Sequence, residues 1–245
     1  MTDFKAVIPA RYDSQRLPGK PLRRLAGKTM LEHVWRIAGK SGAAEVFIAT
    51  DDERIFAAST EMGATAIMTD RSHPSGSDRI AELAEKLGWS AETIVVNVQC
   101  DEPLLPPELI RQVATTLSVG GDIATLATSL QSDREFSDPN VVKVVRDQQN
   151  RALYFSRASI PFHRADPSEP AAALRHIGLY AYRVSSLRAL CGLEPCELEL
   201  TERLEQLRAL WAGMEILVDL ATEQPGPGVD TEHDLQLVER LMAKS

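Results

Sequence analysis

Arg11, Arg16 and Lys20 fall in one short loop of a chain that is otherwise acidic, with a formal net charge of −8. From Arg11 to Lys28 there are six basic side chains and one acid, Asp13. The apolar run Ala6-Val7-Ile8, stopped by Pro9, reads as a first β-strand buried on both faces. The basic loop therefore opens just past the carboxyl end of that strand, where open α/β sheets bind their ligands. Positive charge concentrated there suits an anion, and a nucleoside triphosphate is the first candidate; the alternative is a solvated, Arg-rich surface loop. Gly19-Lys20 and Gly27-Lys28-Thr29 both imitate the end of a phosphate-binding P-loop. That loop needs another glycine five residues earlier so that backbone N–H groups can cradle phosphate, and those positions hold Ser14 and Leu22.

Two acids complete the constellation. Asp101 follows the strand-like run Thr93–Gln99 (TIVVNVQ), and Asp230 follows a Pro/Gly loop, 222–230, behind the late strand 215–221. Both stand at strand-to-helix junctions, so both are expected to face the crevice that the basic loop faces. Asp101 could pair with one of the loop cations, and Asp230 could cap a helix. The functional alternative is that they hold Mg²⁺, which takes one or two carboxylates and completes its shell with phosphate oxygens.

The elements that must position these residues follow from periodicity. Strands are expected at 45–50, 65–68, 93–99 and 122–130, alternating with helices at 30–42, 51–63, 79–87 and 106–117. That β-α-β alternation implies a doubly wound, mainly parallel sheet with right-handed crossovers. Between the third strand and its helix lies the polar loop 69–77, with Ser75 and Gly76 near free helix N–H groups, and with Ser77 or Asp78 as the expected cap. The second half changes character. Segments 141–147 and 151–156 read as an antiparallel hairpin, followed by a Pro-rich excursion at 160–170 and a strand at 175–183. Helices near 185–191 and 197–212 follow, and Thr231 with Asp234 resembles a capping box opening the last helix. The 245 residues are expected to form a single α/β domain with an antiparallel insertion.

Composition excludes several classes. An acidic chain is a poor bulk partner for nucleic acid, whose phosphates dominate such affinity. No apolar run approaches the roughly 20 residues of a membrane span, so no membrane insertion is expected. The N-terminal residues lack the apolar core of a signal peptide. Three cysteines, Cys100, Cys191 and Cys196, read as reduced thiols, and a cytoplasmic location is expected.

Several stretches, in order, resemble one family. They are Val7–Pro21 (VIPARYDSQRLPGKP), His73–Arg79 (HPSGSDR), Asn97–Pro103 (NVQCDEP), Ala152–Arg157 (ALYFSR), Leu174–Tyr180 (LRHIGLY), Leu204–Arg208 (LEQLR) and Gly226–Thr231 (GPGVDT). Together they resemble the 3-deoxy-manno-octulosonate (Kdo) cytidylyltransferases, over essentially the whole chain. The resemblance implies transfer of CMP from CTP to Kdo with release of pyrophosphate, for lipopolysaccharide assembly, with Mg²⁺ as cofactor and a homodimer as the usual state. Carried over by residue, it implies that Pro9, Ala10 and Arg11 contact the nucleotide while Arg16 and Lys20 hold phosphates. Ser14 and Gly76 belong to the same nucleotide set, with Ser75, Arg79 and Gln99 around the cytidine. Asp101 and Asp230 would be the Mg²⁺ ligands and, with Arg16 and Lys20, the catalytic group. Arg157, His176, Tyr180, Glu205 and Gln206 would form the sugar-acid pocket. The segment from about 140 to 215 would carry the hairpin, that pocket and the dimer contacts.

One position departs from the family pattern. Cys100 stands where the family usually has Gly, which would strain the chain if φ had to be positive. A thiol beside a metal ligand would also make activity sensitive to thiol reagents. Rival readings are a cytidylyltransferase for an 8-amino Kdo analogue or for a sialic acid, a metal-dependent glycosyltransferase, and a non-catalytic nucleotide-binding module. The sialic-acid family follows its arginine with Gly-rich residues, whereas Tyr12 and Leu17-Pro18 fit the Kdo type.

Overall fold

The computed structural model describes residues 2–14, 16–165 and 173–243. In chain order the first half holds β1 (Lys5–Ala10), the two-residue strands β2 (Arg24–Leu25) and β3 (Lys28–Thr29), and α1 (Met30–Lys40). Then come β4 (Glu45–Thr50), α2 (Glu53–Glu61), β5 (Thr65–Met68), α3 (Gly76–Lys86), β6 (Ile94–Asn97), α4 (Pro107–Ser118) and β7 (Ile123–Ser129). The second half holds α5 (Asp133–Ser137), β8 (Lys143–Arg146), β9 (Ala152–Ser156), β10 (Leu174–Arg183) and α6 (Val184–Cys191). It ends with α7 (Glu197–Glu202), α8 (Gln206–Trp211), β11 (Ile216–Leu220) and α9 (Glu232–Met242). None of the described helices is long and apolar enough to cross a membrane.

The central sheet runs β11-β7-β10-β6-β1-β4-β5. β1 is parallel to both β4 and β6, β4 to β5, and β11 to β7. β10 is the exception, antiparallel to β6 on one side and β7 on the other. The α/β class and the antiparallel addition are those expected, but β10, the strand expected at 175–183, does not join an edge. It is driven between β6 and β7, and it also carries the β8–β9 hairpin.

Side-chain alternation along the strands divides the core by face. Ala6, Ile8 and Ala10 of β1 pack with Leu31 of α1, Ile55 of α2 and Val113 of α4. Val7 faces the other way, with Ile80 of α3, Leu187 of α6 and Leu207 of α8. Coverage on both faces explains the nearly unbroken apolar runs of these strands. A third cluster joins Leu17 of the basic loop to Leu25, Met30, Val229, Leu235 and Val238. Fully burying one such leucine contributes about 1.5–3 kcal/mol, so the loop is anchored onto α9 and is not a free solvated excursion.

Two helix readings need correction. The cap of α3 is Ser75, not Ser77 or Asp78: Ser75 Oγ accepts from Asp78 N, and Asp78 reciprocates in a capping box. The helix therefore begins three residues earlier than its apolar periodicity indicates, and Ser77 turns inward. The helix expected over 197–212 is two helices broken at Arg203, which has φ 55. Glu202 bonds Ser156 Oγ and Arg157 N, whereas Glu205 accepts from Ser77 Oγ. In a continuous helix, residues three apart share a face, so the break is what sends the two acids to different partners. The capping box at Thr231 and Asp234 is present as expected. Of the Pro-rich excursion, 166–172 lies outside the described residues.

Candidate active site

The basic loop folds against itself before it presents any charge. Gly19 N–H donates to Tyr12 O and Lys20 N–H to Leu17 O. Gly19 has φ 66, and a Cβ there would meet the Tyr12 ring at 3.1 Å, so both the turn and the close ring require glycine. A short 3-10 turn, Lys20–Leu22, then directs Lys20 into the crevice.

The second acid arrives by backbone pairing. Val229 N–H donates to Asp101 O at 2.8 Å and Gly226 N–H to Leu104 O at 3.3 Å. The approach is close enough that a Cβ on Gly226 would stand 2.5 Å from Leu104 Cβ. The loop before α9 is thus laid along 101–104, which sets Asp230 beside Asp101 although they are far apart in sequence.

Lys20 Nζ stands between the two acids, 2.7 Å from Asp101 Oδ2 and 3.0 Å from Asp230 Oδ1. Arg16 Nη2 reaches the same Asp230 oxygen at 3.0 Å. Burial opposes the charge on Lys20, but the pull of Asp101 and Asp230 outweighs it and holds the ammonium's pKa above its ordinary value. Two carboxylates converging on one cationic atom fit Mg²⁺, which needs few protein ligands when phosphate supplies the rest. Among the described residues no cluster of three or more His, Cys, Asp or Glu could hold a metal alone, so such an ion would depend on ligand oxygens.

Around this centre is an open cavity of about 480 Å³. Pro9, Arg11, Ser14, Arg16, Lys20, Gly76, Arg79, Gln99, Asp101 and Asp230 all line it. Two expected nucleotide residues do not. Ala10 is buried in the core, and the Ser75 hydroxyl is taken up in the α3 cap. Either one has backbone, not a free side chain, to offer. Arg79 is almost wholly buried and held by Asp51 and Thr69.

The expected sugar residues form a neighbouring cluster. His176 Nε2 is 3.0 Å from Thr125 Oγ1, and its ring packs edge-on against Phe155 and tilted against Tyr180. Tyr180 stacks on Tyr182. Burial pushes His176 down to about 3, so its ring is neutral, and lifts both tyrosines well above their usual range. Glu205 and the buried Gln206 stand at the start of α8, with Glu205 reached by Ser77. Two links join this cluster to the cavity. Tyr180 pairs in register with Asn97, whose side-chain oxygen accepts from Gln99, and α3 places Gly76 in the cavity wall and Ser77 on Glu205. Arg157 stands apart. Its guanidinium donates to the carbonyls of Glu202, Pro139 and Arg203 and holds the α7–α8 corner.

Sequence reasoning missed several residues. Asp13 and Pro21 line the cavity, and Asp51 anchors Arg79. Glu102 lies beside the two acids, and burial and then the charge of Asp101 push its carboxyl up to about 8. The position of Asp51 at the end of β4 was a usable signal, since it is another strand end facing the crevice. The burial of Glu102 has no counterpart in sequence pattern. Cys100 proves unstrained: among described non-glycine residues only Ala26, Asn150 and Arg203 have positive φ. Its thiol is buried, and burial, then the charge of Asp101, pushes its pKa up. Cys100 borders the cavity, but the raised pKa opposes the expected thiol-reagent sensitivity, because the thiolate is the reactive form.

Sheet and site together define a nucleotidyltransferase, and residues 5–216 match the cytidylyltransferase family, to which the chain belongs. Among its relatives are the 3-deoxy-manno-octulosonate cytidylyltransferase of Thioalkalivibrio sulfidiphilus, 53% identical with 98% of each chain covered, and that of Alkalilimnicola ehrlichii, 54% identical with 99% of this chain and 97% of the relative covered. At that identity and coverage the chain is a member of the 3-deoxy-manno-octulosonate cytidylyltransferase family. A solved structure of CMP:2-keto-3-deoxy-manno-octonic acid synthetase complexed with CTP superposes with TM-score 0.92, at 41% identity over 99% of both chains.

Proposed function

We propose that the protein activates Kdo with CTP, forming CMP-Kdo and pyrophosphate for lipopolysaccharide assembly. The observation that carries this reading is that Lys20 meets Asp101 and Asp230, and Arg16 meets Asp230, in the lining of the cavity. It is supported by the family and by the CTP complex of the solved neighbour. The Kdo 2-hydroxyl attacks the α-phosphorus and pyrophosphate leaves in line. Two anions, the Kdo carboxylate and the triphosphate, have to meet, so charge is the main barrier. Arg16 and Lys20 meet it by binding phosphate oxygens in the crevice. Asp101 and Asp230 would hold Mg²⁺, which would supply neutralisation of the triphosphate charge. An anomeric hydroxyl is already more acidic than an ordinary alcohol, so the mechanism assigns no protein base.

Pro9, Arg11, Ser14, Gly76, Arg79 and Gln99 hold the nucleoside, with Ala10 and Ser75 contributing backbone. His176, Tyr180, Glu205 and Gln206 form the sugar-acid wall, and Arg157 flanks it at the α7–α8 corner. The chain works as a single nucleotidyltransferase domain in which 140–215 carries the sugar-acid pocket and the contacts of a homodimer. Exposed Leu153 on β9 and exposed Phe162 just beyond the hairpin support the dimer assignment. Three free thiols suit a reducing compartment, the cytoplasm.

The test is pyrophosphate release with Mg²⁺ and each nucleoside triphosphate, offering Kdo, its 8-amino analogue or a sialic acid. Turnover is expected with CTP and Kdo. Preference for either other sugar acid would transfer the assignment to that substrate, and silence in every combination would refute it.

A further inference from the structure

Two strand ends and the first turns of a helix meet at the nucleoside side of the cavity. Asp51 follows β4, Thr69 follows β5, and Arg79 lies in the first turns of α3. The Arg79 side chain is 1% exposed. Its Nη2 donates to Asp51 Oδ2 at 2.6 Å, and its Nη1 donates to Thr69 Oγ1 at 2.9 Å and, less closely, to Asp70 O at 3.4 Å. Nε has no partner, and among the described residues it is the one buried side-chain nitrogen or oxygen left so. An orphaned buried donor is rare in a folded protein and is accounted for when a water or ligand completes it. Arg79 lines the main cavity and also a second space of about 360 Å³ behind it, which Asp51 borders too.

We infer that Asp51 is a positioning residue for nucleotide binding: with Thr69 it clamps both Nη nitrogens of Arg79, so that the guanidinium is fixed in the cavity wall against which the nucleoside side of CTP packs. This inference rests on the cytidylyltransferase reading of the same cavity. A guanidinium fixed from behind keeps the shape and positive charge of that wall in place, so binding does not incur the entropy cost of ordering a free arginine. Charge supports the same role. Burial and then the nearby charge of Arg79 hold Arg11 below its ordinary pKa, while Asp51 and Asp78 act the other way. Asp51 thus offsets the repulsion between two guanidiniums that share one wall.

Asp51→Asn keeps the shape and removes the charge. It is expected to raise KM for CTP tenfold or more, with kcat, KM for Kdo and the inhibition constant of pyrophosphate each within threefold, because the phosphate grip of Arg16 and Lys20 is separate. Removing the counter-charge of a buried guanidinium also threatens the fold. Thr69→Val therefore serves as the second variant: it keeps the ion pair, and a threefold or greater rise in KM for CTP alone is expected. If Asp51→Asn does not fold, Thr69→Val decides. An unchanged KM for CTP, or KM values for CTP and Kdo that rise together as a structural defect would make them, overturns the inference. Absence of turnover in the unmodified protein would instead defeat the cytidylyltransferase reading itself.

Discussion

At the residue scale, the centre of the site is a charge problem with one arrangement that solves it. Two carboxylates as close as Asp101 and Asp230 repel unless a cation stands between them, and in this structure Lys20 does so. Asp101→Asn removes one of the acids. Turnover is expected to fall by about 10²–10³ or more, as when other transition-state charge stabilisers are lost, while the circular dichroism spectrum is kept. Near-normal pyrophosphate release by that variant would remove Asp101 from the reaction. Cys100 leads to the opposite expectation. Alkylating agents should leave activity unchanged, because the thiol is buried and held protonated; loss of activity that disappears in Cys100→Gly would contradict this. His176 sets a pH dependence. Its folded pKa, about 3, lies below the ordinary 6.5, so the unfolded chain binds the extra proton as pH falls. The stability this neutral ring allows is complete above pH 6.5 and is lost as pH falls toward 3. The slope is at most about 1.4 kcal/mol per pH unit. Urea unfolding from pH 6.5 down to 5 should show a shallower slope in His176→Gln than in the parent.

At the scale of elements, the decisive pairing is between the 226–229 loop and 101–104. It is sterically tight because Gly226 nearly touches Leu104. Gly226→Ala forces one of them away, with an expected cost of about 1–3 kcal/mol for overpacking. It should also reduce turnover, because Asp230 rides on the displaced loop. Activity unaffected by this substitution would show that Asp230 needs no such placement. The strands and most helices around this loop were legible, because buried strands and amphipathic helices have distinct periods. The break at Arg203 was not, since what it serves is tertiary: the acids on its two sides meet distant partners, Ser156 and Ser77.

At the scale of the whole molecule, the reversed strand β10 joins the two halves of the site. It pairs Tyr180 with Asn97, on the strand whose continuation carries Gln99 and Asp101, and carries His176 four residues before Tyr180. Its hairpin extension leaves Leu153 61% and Phe162 71% exposed. In a dimer these side chains would be covered, so Leu153→Asp with Phe162→Ser should shift the protein from dimer to monomer in sedimentation. A parent protein that sediments as a monomer would dispose of the assignment.

The sequence by itself determined the strands of the main sheet, the α/β class, the basic loop at the first strand end and the two acids. Each is local: burial on both faces writes apolar runs, and a strand end is marked by where the run stops. Local signals also fixed the capping box of α9, because its partners are three residues apart. Tertiary structure alone decided that Lys20 stands between Asp101 and Asp230, that Arg157 is tied to backbone carbonyls, and that Asp51 clamps Arg79. It also decided that Cys100 is buried and unstrained, and that β10 enters the middle of the sheet. These facts depend on which distant segments become neighbours. Periodicity shows which face of an element is buried, but not which partner buries it.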